Sequence, residues 1–267
     1  MRPIHYLRCL AGIVTREGLR FLNQRGRFFS ALVRPLVWLA IFATGFQFVL
    51  GVSIIPPYQT YIPYSVYIAP GLLAMIVMFN GMLSSLSMVY DREMGSMRIL
   101  MVSPLPRWFL LTAKLLAGVI VSVVQSYGFL AIARFWDIAP PWYGYITVLP
   151  ALVLAGLMLG ALGLLLSSAI RQLENFASVM NFVIFPMFFA SSALYPLWRV
   201  KEASLWLYYV CQINPFTHAV ELIRFALYGA VEPTSAMVLV AATAVFLTLA
   251  VYGYDPAKGL MARRVAD

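Results

Sequence analysis

His218, Glu221 and Arg224 recur at three-residue intervals, so a helix carrying them would put an imidazole, a carboxylate and a guanidinium on one face. Such a trio serves either acid–base chemistry or a salt bridge with a helix cap. Asn214-Pro215 immediately upstream reads as the N-cap and first-turn pair of that helix. A second charged group stands apart from the first. The island Asp91-Arg92-Glu93-Met94-Gly95-Ser96-Met97-Arg98-Ile99-Leu100-Met101-Val102-Ser103-Pro104-Leu105-Pro106 separates two apolar runs, each long enough to cross a bilayer. Asp91 and Glu93 suit a helix start, Gly95 permits close approach, and Pro104 and Pro106 end the segment. Charge retained at that place offers a docking helix to something in the water.

Other chemistries lack their residues. The only histidines are His5 and His218, on opposite faces of the topology derived below, so one chain cannot build a two-histidine metal site. Neither Gly-x-Ser-x-Gly nor His-Glu-x-x-His occurs, and none of Lys114, Lys201 and Lys258 lies in a phosphate-cradling Gly-Lys-Ser/Thr loop. Any ATP site therefore belongs to another polypeptide.

The elements that carry these groups belong in lipid. Hydrophobic residues make up 62% of the 267 residues and charged ones 11%, well outside the range of soluble domains. Six apolar runs reach helical spanning length: Val33 to Leu50, Val66 to Val89, Phe109 to Ala133, Ile146 to Ala169, Phe176 to Leu194 and Ala236 to Tyr252. None alternates as a barrel strand would. All ten carboxylates fall in loops or at ends, which disfavours an ion-coupled carrier.

Fifteen of the nineteen Lys and Arg residues collect on one side of a six-span arrangement. The other side holds only Arg134, Arg199, Lys201 and Arg224, so both termini are placed in the cytoplasm. Cys9 and Cys211 then lie on opposite sides and cannot pair. The basic charge reads as topology and lipid attraction, with no call for nucleic acid.

Residues 1–30 form a candidate interface helix, with Leu7, Leu10, Val14, Gly18 and Phe21 on one face and Arg2, Arg16, Arg20 and Arg27 roughly opposite. Arg34-Pro35 marks the bend into the first span. Between Tyr195 and Pro233, Leu205–Cys211 and Phe216–Tyr228 are too short to cross, and fit re-entrant or interfacial helices. Tyr58, Tyr61, Tyr64 and Tyr67, with Trp136, Trp142, Tyr143, Tyr145, Trp198, Trp206, Tyr208 and Tyr209 on the same side, read either as an anchoring belt or as a stacking surface for cargo. Gly156, Gly160 and Gly163 read as helix-packing positions.

Ala69-Pro70-Gly71, the island with Gly95, Ser96, Arg98, Leu100, Ser103 and Pro104, Lys114, and Asn214-Pro215-Phe216-Thr217-His218-x-x-Glu221-x-x-Arg224 together resemble the permease subunits of ABC-2 type exporters. The match covers nearly the whole chain. The resemblance implies one all-α transmembrane domain over residues 1–267: an interface helix at 1–30, five spans within 33–194, an outer re-entrant hairpin at 195–235, a sixth span at 236–254 and a cytoplasmic tail at 255–267. It implies that the interface helix (Arg16, Glu17, Arg20) and the island sit on an ATPase subunit. Asn214, Pro215, His218, Glu221 and Arg224 would belong to an outer gate. A homodimer of such chains would bind two ATPase subunits, which hold the ATP and Mg, and would export a lipid-like, amphiphilic or saccharide substrate across the inner membrane. The alternative from the residues alone is a membrane-embedded enzyme acting at the outer face.

Overall fold

The computed structural model describes residues 3–23, 25–45, 56–58, 62–93, 106–170 and 172–254. Among the described residues ten α-helices follow in order: α1 Pro3–Asn23, α2 Arg25–Gly45, α3 Tyr64–Glu93, α4 Arg107–Ala133, α5 Gly144–Ala169, α6 Leu173–Phe189, α7 Leu197–Ala203, α8 Leu205–Ile213, α9 Pro215–Leu227 and α10 Pro233–Gly253. Their ends follow local chemistry. Pro106, in extended conformation, starts α4 without needing an N–H. Asn214 caps α9 by accepting from the Phe216 amide at 3.0 Å. Gly229, at φ +71°, turns the chain out of α9 where a side chain would be strained.

α3 is the hub, and residues Ile68 to Met78 along it are almost wholly buried. Around it pack α2, α4, α5, α6 and α9, with α5 the most extensive partner. In lipid such contacts rest on close approach and on hydrogen bonds between helices, since lipid tails are as apolar as leucine. A Cβ at Gly81 would stand 3.0 Å from the Gly160 backbone, and one at Gly160 would stand 2.4 Å from Leu115 Cδ1. Asn80 donates to Gln125 Oε1 across α3 and α4. Phe42 meets Tyr64 where α2 ends and α3 starts, so those two run antiparallel, while Ser167 bonds Tyr254 where α5 and α10 both end, so those two run in the same direction.

Four helices are both long and apolar enough to cross a membrane: Tyr64–Tyr90, Trp108–Trp136, Gly144–Ala169 and Pro233–Gly253. Two of the six expected spans correspond to shorter apolar helices, Leu32–Phe42 and Leu173–Phe189.

Several expectations change. Pro35 lies inside a continuous α2 instead of marking a bend at its start. α1 turns Tyr6 toward α4, where its ring meets Phe109 edge-on at 5.0 Å, and of the expected apolar face Leu10, Val14 and Gly18 are half-buried while Leu7 is 66% exposed. Asp91, Arg92 and Glu93 form the last turn of α3 instead of opening a new helix. Residues 94–105, with Gly95, Ser96, Arg98, Leu100, Ser103 and Pro104, lie outside the described residues, as do the side chains of Glu17, Arg20, Asp91 and Arg92. Arg16 is exposed on α1.

Candidate functional site

The turn between α6 and α7, residues 190–196, is held through its main chain by side chains from two other helices. From α3, the Tyr64 hydroxyl donates to the Leu194 carbonyl at 2.7 Å and the Tyr67 hydroxyl to the Ser192 carbonyl at 3.0 Å. From the α9 end, Asn214 Nδ2 donates to the carbonyls of Met187 and Ala190 at 2.8 and 2.6 Å. Arg224 Nη2 adds a 2.8 Å bond to the Ser192 carbonyl. The orphan carbonyls at the end of α6 are thereby satisfied by tertiary donors. Gly71 completes the seat, because a methyl there would stand 2.7 Å from Ala193 Cβ and 2.8 Å from its backbone.

Arg224 is the electrostatic centre of this clamp. Its side chain is 3% exposed, with Nη1 2.5 Å from Glu221 Oε1 and Cζ 4.3 Å from the Tyr67 ring centroid. A buried guanidinium is tolerable only with a counter-charge and hydrogen bonds, and this one has both. Satisfaction is nevertheless incomplete. Arg224 Nε, Tyr58 Oη, Ser192 Oγ and Thr217 Oγ1 are buried and have no hydrogen-bond partner among the described residues. Burial holds the Tyr58 phenol above its ordinary range, and burial followed by Tyr143 pushes the Tyr228 phenol up to about 12. The two rings meet edge-on at 4.9 Å.

The trio of the sequence is split. Glu221 and Arg224 pair, but His218 turns to α8 and α10, with Nε2 3.0 Å from the Gln212 carbonyl and Nδ1 3.3 Å from Ser235 Oγ. Steps of three residues lag a full helical turn by about 60° each, so His218 and Arg224 diverge by about 120°. The tyrosines are also not a lipid-facing belt. Tyr58, Tyr64 and Tyr67 are buried, and Tyr61 lies outside the described residues. Nothing in their spacing names a carbonyl more than a hundred residues away. The packing role of the α5 glycines does hold: a Cβ at Gly163 would meet Ser85 Oγ at 2.6 Å.

Toward the other end, Lys114 is 8% exposed beside a cavity of about 10 Å³, shared with Ser84, Ser85, Ser122, Gly118 and Gly156. That is room for about one water. Among the described residues no cluster of three metal-ligating side chains forms.

Comparison with known proteins agrees with this architecture. Residues 10–228 match the family model of the ABC-2 type transporter. A probable multidrug ABC transporter permease YbhR of Escherichia coli K12 is 31% identical over 170 residues, covering 62% of this chain and 45% of that protein. A putative transport permease ycf38 of Cyanophora paradoxa is 27% identical over 199 residues, covering 73% of this chain and 66% of the relative. The counterpart in Porphyra purpurea is 24% identical over 225 residues, covering 81% and 72%. The chain thus spans less than half the length of the Escherichia coli protein. With a helical bundle containing four helices of spanning length and a family model matched over most of its residues, the chain is a multi-pass membrane protein and belongs to the ABC-2 type transporter family.

Proposed function

We propose that this chain is the permease subunit of an ATP-driven exporter, moving a lipid-like, amphiphilic or saccharide substrate outward across the cytoplasmic membrane. A separate ATPase, present in two copies, supplies ATP and Mg to a homodimer of permeases. In this reading six helices span, both termini are cytoplasmic, and the island from Asp91 to Pro104 is the coupling helix. The interface helix with Arg16, Glu17 and Arg20 flanks the ATPase, and Asn214, Pro215, His218, Glu221 and Arg224 belong to the outer gate. The name of the Escherichia coli relative, a probable multidrug permease, favours amphiphilic cargo.

One observation carries the mechanism. A single helix, α3, bears the clamp donors Tyr64 and Tyr67 at its start and Asp91 to Glu93 at its end. Its 30 residues measure about 45 Å, more than the thickness of a hydrocarbon core. Force applied to the island therefore reaches the clamped turn along one continuous helix, and packed bundles switch between discrete arrangements under such loads. The enzyme alternative loses its basis where His218 faces away from the Glu221–Arg224 pair.

Co-expression with candidate ATPases, followed by pull-down and a test for substrate-stimulated ATP hydrolysis, checks the assignment. A bulky replacement at Glu93 or Gly95 should abolish export and stimulated hydrolysis while sparing membrane insertion. Full activity in such variants refutes the docking role.

A further inference from the structure

We propose that the corner formed by α7 and α8 is a docking surface for anionic phospholipid headgroups. α8 has nine residues, about 13 Å, and is too short to cross a bilayer. Its outward arc is mostly apolar: Leu205, Trp206, Tyr209 and Ile213 are 54%, 74%, 54% and 81% exposed, with Gln212 exposed at one edge, while Cys211 on the opposite face is buried. That is the reverse of a helix facing water, which turns polar residues outward.

The edge of this arc is basic. Arg199 and Lys201 of α7 are both exposed, and Glu202 is the single carboxylate on that helix, so two cations stand against one anion. The Arg199 guanidinium lies 5.2 Å from the Trp198 ring centroid, and Lys201 Nζ lies 5.6 Å from that of Tyr208. Rings at that distance hold both long side chains at the rim of the apolar surface. An arc that enters acyl chains beside cations at phosphate depth matches an interfacial lipid seat. A second copy of the chain fits less well. Two-fold pairing through this face would set each basic rim against the same rim.

The test uses the full chain in nanodiscs and needs no ATPase, so its failure leaves the permease assignment standing. Tryptophan fluorescence of the wild type and of Trp206→Phe is compared in phosphatidylcholine brominated either near the headgroup or near the chain end. The wild type should show extra quenching, lost in Trp206→Phe, chiefly with the shallow label. Retention of phosphatidylglycerol over phosphatidylcholine is then measured by mass spectrometry of the purified protein. Arg199→Gln with Lys201→Gln should weaken that preference about five- to twentyfold, a few-fold per cation. The proposal is overturned by equal quenching in the two proteins, by an unchanged lipid preference in the double variant, or by Trp206 becoming shielded only as the chain dimerises.

Discussion

Arg224 holds two neighbours through one planar group, and its replacements separate charge from geometry. Arg224→Met leaves Glu221 without its partner and should cost about 2–4 kcal/mol, below the range for fully buried pairs because Glu221 is 20% exposed. Arg224→Lys should recover part of that loss, since an ammonium keeps the charge but not the two-sided reach. Thermal unfolding in detergent measures both, and equal stability of all three proteins would remove Arg224 from the clamp. The hydroxyls divide by sign. Tyr64→Phe and Tyr67→Phe each lose a bond to a buried carbonyl and should destabilise by about 1–3 kcal/mol. Tyr58→Phe, Ser192→Ala and Thr217→Val remove groups with no partner among the described residues and should be neutral or stabilising by the same measurement. The tyrosine pair adds a pH dependence. An unfolded phenol ionises near pH ~10 while Tyr228 retains its proton to about 12, so the folded state binds more protons in that window and stability falls as pH rises through it. Tyr228→Phe should flatten that decline in a series of melting curves; an unchanged slope contradicts the burial assigned to it.

Among the elements, α3 sets the terms for the others, and its outer turns hold two informative positions. Pro70 sits inside the helix and removes the N–H that would reach the Val66 carbonyl, placing a weak point just below the clamp donors. Gly71 follows it against Ala193. Gly71→Leu should displace the 190–196 turn, and a melting-temperature loss equivalent to about 1–3 kcal/mol is expected from overpacking. A silent Gly71→Leu would mean that the turn is held elsewhere. The apolar runs that became α3, α4, α5 and α10 were legible because bilayer thickness demands length, and length is visible in a sequence. α7 was missed because its seven residues, Leu-Trp-Arg-Val-Lys-Glu-Ala, mix charge and apolar groups without a readable period. On α1 the half-buried Leu10 and Val14 were legible from the helical period, while the seating of Tyr6 was not, because contact with Phe109 of another helix leaves no mark on that period. Within the clamp, the Asn214 cap could be read locally. Its second use, donation to Met187 and Ala190, could not, because main-chain acceptors leave no mark on side-chain pattern.

At the scale of the molecule, the island and the clamp lie at opposite ends of one lever, so they should respond together. Ala193→Cys, in a chain where Cys9 and Cys211 are replaced, gives a thiol buried in the closed turn. On the proposed function, its reaction with a maleimide should quicken when the proposed ATPase partner hydrolyses ATP, and Gly95→Trp should cancel that gain without detaching α3 from the bundle. Labelling that ignores nucleotide separates the two ends mechanically. The 190–196 turn is gripped almost entirely by its carbonyl oxygens, which every residue type supplies alike. Within the turn only Ala190 and Tyr195 are partly exposed; a substitution at Ala190 leaves its carbonyl acceptor in place, so that position can vary while the hold on the turn keeps its strength.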